Sequence, residues 1–237
     1  MKVIKNSLFI FIALTLIVSC SKEKENNFIL KGSIKDLKKG VVYLQKDGDS
    51  SVIDLDSVVI KGQPEFLLST TIEEPILLYL KLEKNDGQEH FIPFFADEGE
   101  TQIKTTLKSF NTSAEINGAE QQKVLEGYLT LMDDFKNKNL DLIKANYEAL
   151  KRKDSIASDS IVKQSERLLR LKYASTINFA LNNNDSEVAP YLALYEIPDT
   201  SIKYLDSIYN NLTDRIKTSH YGKILEKSIS DFKTELK

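Results

Sequence analysis

The chain has 237 residues, 41% of them hydrophobic and 28% charged, with a formal net charge of −3 at pH 7. That balance argues against nucleic acid as a partner and against a polybasic contact with a membrane surface. The single cysteine excludes an internal disulfide, while ten tyrosines and eleven phenylalanines supply aromatic material for one large core or two small ones.

The first segment places Lys2 and Lys5 ahead of an unbroken apolar run from Leu8 to Val18, then Ser19 and Cys20. A membrane-spanning helix needs about 20 residues, whereas the apolar region of a secretory signal has roughly 7–15. Residues 1–19 therefore read as a signal peptide. The motif Ile17-Val18-Ser19-Cys20 resembles the lipobox of bacterial lipoproteins. That resemblance implies cleavage between Ser19 and Cys20 and acylation of both the Cys20 thiol and the new amine. It also implies a lipid-anchored protein of the bacterial cell envelope, expected at the periplasmic face of the outer membrane. One acyl chain holds a protein only marginally, so the three implied here would make release negligible. Cleavage removes Lys2 and Lys5, moving the charge from −3 to −5. Acylation of Cys20 would leave no thiol for catalysis or for a metal site.

Residues 20–27 are polar and read as an acylated, disordered tether. From Phe28 to about Gly118 the pattern has period 2 and is broken by turn residues. The expected strands are Phe28–Ile34, Val41–Gln45, Val52–Ile60, Glu65–Thr71, Ile76–Leu82, Phe91–Phe95, Gln102–Thr106 and Ser113–Ile116. The separators carry Gly, Asp or Asn, as in Asp47-Gly48-Asp49 and Asn85-Asp86-Gly87, where turns tolerate positive φ. Near residue 118 the period changes. Asn117 with Glu120 has the spacing of a capping box, and Val124, Leu125, Tyr128, Met132 and Phe135 then recur at helical spacing. Separate amphipathic stretches follow at Leu140–Leu150, Leu169–Leu181, Ile202–Ile216 and Tyr221–Leu236, with a short helix at Val188–Tyr195.

The expected fold is thus α+β and two-lobed. An antiparallel β-sandwich or open barrel of about eight strands spans 28–118, and an all-α bundle of five or six helices spans 119–237.

The β half resembles the domain of unknown function 4369, found at the N-terminus of Gram-negative lipoproteins. The matching residues are Phe28-Ile29-Leu30-Lys31-Gly32, Val41-Val42-Tyr43-Leu44, Asp56-Ser57-Val58-Val59 with Gly62 and Phe66, Glu98-Gly99 and Ile116-Asn117-Gly118. In the helical half, Asn184–Tyr191 and Ser219–Leu225 resemble the segment that usually follows. One departure is local: three residues, Gln63, Pro64 and Glu65, separate Gly62 from Phe66 where relatives tend to have one. In many relatives a thioredoxin-like domain with a Cys-x-x-Cys motif comes next. Here the chain stops at Lys237, where that domain would begin, and its redox activity does not carry over.

Few residues suggest chemistry. His90 and His220 fall in different lobes without a metal-ligand spacing, which leaves open a two-histidine site across the lobe interface. Asp54 and Asp56 alternate along a strand, which places both on one face, as a solvated pair or as a weak ligand site. Phe91-Ile92-Pro93-Phe94-Phe95 is densely apolar, and Pro93 assigns it to a sheet edge or bulge. Phe91 and Phe94 are accordingly weak candidates for an apolar or peptide ligand. No catalytic motif, metal site or cofactor is expected. The reading is a non-enzymatic, membrane-anchored binding module for an unidentified protein or small molecule. Its alternative is an accessory, shortened relative of the thioredoxin-like thiol–disulfide lipoproteins without its own redox site.

Overall fold

The computed structural model describes residues 26–48, 50–84 and 87–235. The segment read as a signal peptide, the cleavage point expected at Ser19 and Cys20, most of the expected tether and residues Asp49, Asn85 and Asp86 lie outside them. Eight strands come first: β1 (Phe28–Lys35), β2 (Lys39–Asp47), β3 (Val52–Lys61), β4 (Glu65–Thr70), β5 (Ile76–Glu83), β6 (Glu89–Ala96), β7 (Gly99–Thr106) and β8 (Glu115–Asn117). Six helices follow: α1 (Glu120–Lys151), α2 (Ser155–Asn182), α3 (Val188–Tyr195), α4 (Ile202–Asn211), α5 (Asp214–Lys217) and α6 (His220–Glu235).

The strands form two four-stranded sheets, ordered β4-β1-β7-β8 and β3-β2-β5-β6. Their facing sides enclose one core, in which Phe28, Leu30, Leu44, Leu80 and Phe94 are fully buried. This is a sandwich, and not an antiparallel one throughout. β1 and β7 pair in parallel, from Phe28 opposite Gly99 to Lys35 opposite Thr106. No hairpin joins these two strands, so no turn fixes their relative direction; the chain re-enters the first sheet beside the start of β1, where the Gly99 N–H donates to Asn27 O at 2.8 Å. The long turn between β3 and β4 is accommodated by Gly62 at φ 110° and by Ile34 N–H donating to Pro64 O at 2.9 Å. Gly32 lies under the Phe66 ring on the neighbouring strand. A Cβ there would fall 1.9 Å from that ring, so this position is fixed by close approach.

β5 and β6 carry apolar residues on both faces. Leu78, Leu80, Ile92 and Phe94 point into the sandwich. Leu77 and Phe95 point outward and pack with Leu125, Tyr128, Val188, Leu192 and Tyr221 from the helices. Alternation with period 2 makes this unavoidable, because Phe94 and Phe95 are adjacent and both apolar. The helical half therefore forms a third layer over the second sheet. Two side chains bind it to unpaired strand backbone. Phe95 N–H donates to Gln122 Oε1 at 2.9 Å, covering the outer edge of β6, and Leu77 N–H donates to Tyr221 Oη at 3.1 Å.

The helix boundaries differ from expectation in four places, one being α2, which begins at Ser155, fourteen residues before the expected stretch Leu169–Leu181. Asn117 belongs to β8, Ala119 is the α1 N-cap, and no side chain caps that helix, so the capping box is not formed. The two stretches expected over Val124–Phe135 and Leu140–Leu150 are one 32-residue helix, because nothing between them interrupts helical geometry: Lys136, Lys138 and Asn139 carry no Gly or Pro. The stretch Ile202–Ile216 is instead divided at Leu212 and Thr213, both extended with ψ near 150°.

Removing the Tyr221 hydroxyl would leave the buried Leu77 N–H unpaired, an effect of about 1–3 kcal/mol. Tyr221→Phe is expected to lower the unfolding free energy by that amount, read as a lower urea midpoint. An unchanged midpoint would show that the hydroxyl does not hold the layers together.

Candidate functional site

At one end of the sandwich both lobes contribute to an open cleft of about 540 Å³. One wall is the end of the β2–β3 hairpin, with Lys46, Asp47, Gly48, Ile53 and Leu55. The other is the β4–β5 connection, with Glu73 and Glu74 above Ile72, Ile76 and Leu78, and His220 at the start of α6 closes it. The cleft has an apolar floor and a rim in which three carboxylates outnumber one lysine.

Two of the rim carboxylates also organise the lobes. The His220 N–H, one of the unsatisfied donors at the first turn of α6, donates to Glu74 Oε2 at 2.8 Å. The Tyr79 hydroxyl donates to Asp47 Oδ2 at 2.9 Å. Burial, followed by the bond to Asp47, pushes the Tyr79 hydroxyl well above the ordinary phenol range. Behind this rim stand Tyr191, Tyr195, Tyr221 and Phe95, with ring centroids 5.0–6.4 Å apart. Burial pushes Tyr191 up to about 12. These phenols are neutral packing elements at physiological pH.

Asp54 and Asp56 do not form a pair. The register of β3 against β2 shifts between Leu44 and Gln45, so Asp56 lies opposite Leu44 and Asp54 opposite Gln45, with Leu55 as the extra residue of a bulge. Directly opposed residues share a face, and Leu44 faces the sandwich core while Gln45 faces outward. The two carboxylates are thus on opposite sides of the sheet. Asp54 Oδ1 accepts from Gln45 Nε2 at 2.6 Å. Asp56 accepts from Ser57 N–H at 2.7 Å and from Ser69 N–H of β4 at 2.8 Å, tying the two sheets at their corner. The expectation of a common face fails because an inserted residue breaks the period of 2.

Phe94 is fully buried and stacks on Phe28 at 6.3 Å, so it is a core residue and not open to a ligand. Phe91 lies on the outer face, with Lys81 Nζ 5.5 Å from its ring centroid. Pro93 is exposed on β6, an edge strand as its missing N–H requires. His90 is opposite Leu82, at the far end of β5 from Ile76 and the cleft. Six residues of strand, about 20 Å, separate that end from the end His220 approaches, so the histidines do not form a joint site. Among the described residues no group of three His, Cys, Asp or Glu side chains is arranged to hold a metal ion, and no helix is long and apolar enough to cross a membrane.

One buried charge stands apart from the cleft. Glu187, at the N-cap of α3, is 2% exposed and pairs with Arg215 of α5. Its Oε2 has no hydrogen-bond partner among the described residues. Burial raises the Glu187 carboxyl above the ordinary carboxylate range despite the Arg215 guanidinium beside it.

With this geometry in place, the relationship of the β half can be stated. Residues 28–125 match the family described as Domain of unknown function (DUF4369). The DUF4369 match takes in β1 to β8 and the first turns of α1, including Gln122 and Leu125, which close the outer face of the second sheet. No curated protein and no solved structure matches the chain. The cleft therefore lies partly within the matched residues and partly on the following helix, since His220 lies beyond the match.

The raised Glu187 carboxyl has a consequence for stability. The folded chain holds a proton there through a pH range, starting near the unfolded value of about 4.3, in which the unfolded chain has lost it. This group's contribution is complete below that range and is lost as pH rises through it. Glu187→Gln is expected to remove that loss, so the melting temperature of the native chain should fall relative to the variant as pH rises above the unfolded carboxyl value of about 4.3. A constant difference between the two proteins would contradict the assignment.

Proposed function

We propose that the protein is a non-enzymatic binding module of the cell envelope, held at a membrane by acyl chains on Cys20, and that its ligand occupies the cleft between the β2–β3 hairpin, the β4–β5 connection and α6. The observation that carries this reading is the cleft's composition. Ile53, Leu55, Ile72, Ile76 and Leu78 form an apolar floor under Asp47, Glu73 and Glu74. Such a site favours a small molecule or peptide end with an apolar body and an amine or guanidinium group. The polar groups around it have architectural tasks, since Glu74 satisfies the first turn of α6 and Asp47 holds Tyr79. This use of its carboxylates supports recognition over reaction. The anchor reading rests on Lys2, Lys5, the apolar run Leu8–Val18 and the Ile17–Cys20 motif.

Two experiments test the two halves of the proposal. Radiolabelled palmitate is expected to enter the native chain and not Cys20→Ala, whose leading segment should stay uncleaved; label in the variant, or none in the native chain, would contradict anchoring. For the cleft, leucyl-agmatine serves as a probe with both features. NMR titration should shift the Ile53, Leu55 and Ile76 methyl signals, and Glu73→Gln should weaken binding several-fold, with the weakening lost at high salt. Shifts confined to residues outside the cleft, or none at millimolar probe, would overturn the ligand assignment.

A further inference from the structure

Helices α1 and α2 form an antiparallel hairpin. Toward α2, α1 presents Leu125, Tyr128, Met132, Phe135, Leu142 and Ala149, at the 3–4 spacing of a coiled-coil seam whose remaining positions are Asn139 and Asn146. Tyr128 meets Thr176 at 3.1 Å and Phe179 at 5.4 Å, and the Ser158 hydroxyl donates to Asn146 Oδ1 at 2.8 Å, which fixes the pairing along its length. This seam uses one stripe of α1. A second stripe, one residue further round, is also apolar at heptad spacing: Leu140, Ile143, Tyr147 and Leu150 are 54–64% exposed. It is uncovered.

The side on which this stripe opens can be located. A groove of about 330 Å³ runs between the helices, lined by Leu129 and Lys136 of α1, each one residue past a seam position, and by Leu169 of α2. It continues past Val162 and Glu166. Ile143 and Leu150 follow Lys136 by seven and fourteen residues, so they open on this same side. The hairpin thus has one flat face, apolar along α1, with Val162 and Leu169 exposed along α2.

We infer that this face pairs with the same face of a second copy, making a four-helix bundle in which α1 of each copy lies on α2 of the other. Charge selects this arrangement. The α1 stripe is flanked by Lys144 and Lys151, whereas the α2 stripe contains Asp159 and Glu166. Laying α1 on α2 sets Lys144 and Lys151 beside carboxylates, while laying α1 on α1 sets them beside the same lysines of the other copy; on α2 the flanking residues Lys163 and Arg170 make the charge mixed. Among the described residues Glu166 pairs with Arg170 at 3.9 Å, an exposed pair with little to lose. The selected arrangement keeps both hairpins pointing the same way, with both β lobes at one end. Two helices of about 15 residues give a face of about 22 by 20 Å. Counted over both copies that is roughly 900 Å², the size of a transient interface, so the dimer is expected to form where the protein is concentrated.

Cross-linking in the native membrane tests this with the whole chain. One tagged copy carries Lys144→Cys, and a copy of different length carries Glu166→Cys, both treated with a short bis-maleimide. The expected product is the mixed dimer, at least tenfold over the parent chain, whose only cysteine is Cys20. Adding Ile143→Glu and Tyr147→Glu to both copies should abolish it without changing the melting temperature, because both sites are exposed. Predominance of the Lys144→Cys homodimer would overturn the arrangement. Absence of all cross-links, or a mixed dimer indifferent to the glutamates, would overturn self-association through this face.

Discussion

The rest of the structure depends on the double-sided apolar character of β5 and β6. A strand buried on one face can leave its other face in water, but Leu77 and Phe95 are as buried as Leu78 and Phe94. Covering both faces requires three layers, with the first sheet on one side and helices on the other. The Phe95 and Leu77 amides add direction to this packing. They place Gln122 at the start of α1 and Tyr221 at the start of α6, where, among the described residues, the helical half bonds to the backbone of the sheet. The hairpin's departure from the body and the closure of the cleft by His220 both follow from those two anchor points.

The cleft is a by-product of this docking that neither half would form alone. The β half supplies its floor and carboxylates, and α6 supplies the wall, with Glu74 joining the two through the His220 amide. The tyrosines behind the rim stiffen it, since Tyr191 contacts Tyr195, Tyr221 and Phe95. A site shared by two layers is sensitive to their relative position. That gives the proposed binding module a physical means of coupling ligand to the orientation of the long hairpin.

Much of this was legible in the amino-acid sequence. The strand positions follow from the period of 2 and its turn residues, and Val188–Tyr195 was readable as a helix to the residue. What escaped the pattern has specific causes. Asp54 and Asp56 were separated by a bulge, which shifts register without changing composition. The parallel pairing of β1 with β7 involves strands distant in sequence, where local signals carry no direction. Asn117-Gly118-Ala119-Glu120 had the spacing of a cap, yet β7 captured Asn117 as a strand residue first. In the site, nothing in the sequence singles out Glu73 and Glu74, because only the fold brings α6 above them. The spacing of Leu140, Ile143, Tyr147 and Leu150 announced an amphipathic helix. It could not announce that α2 would cover a different stripe.

The central claim is that β5, β6 and the flanking helices are one cooperative body, with the outer hairpin less protected. Amide hydrogen exchange on the native chain tests it most directly. The account predicts that Leu77, Phe95 and the buried turns of α6 around Leu225 exchange with one common opening free energy, while amides of 140–160 exchange more readily. Exchange of α6 through an opening many times more frequent than that of β5 and β6 would show two independent bodies, and would contradict it.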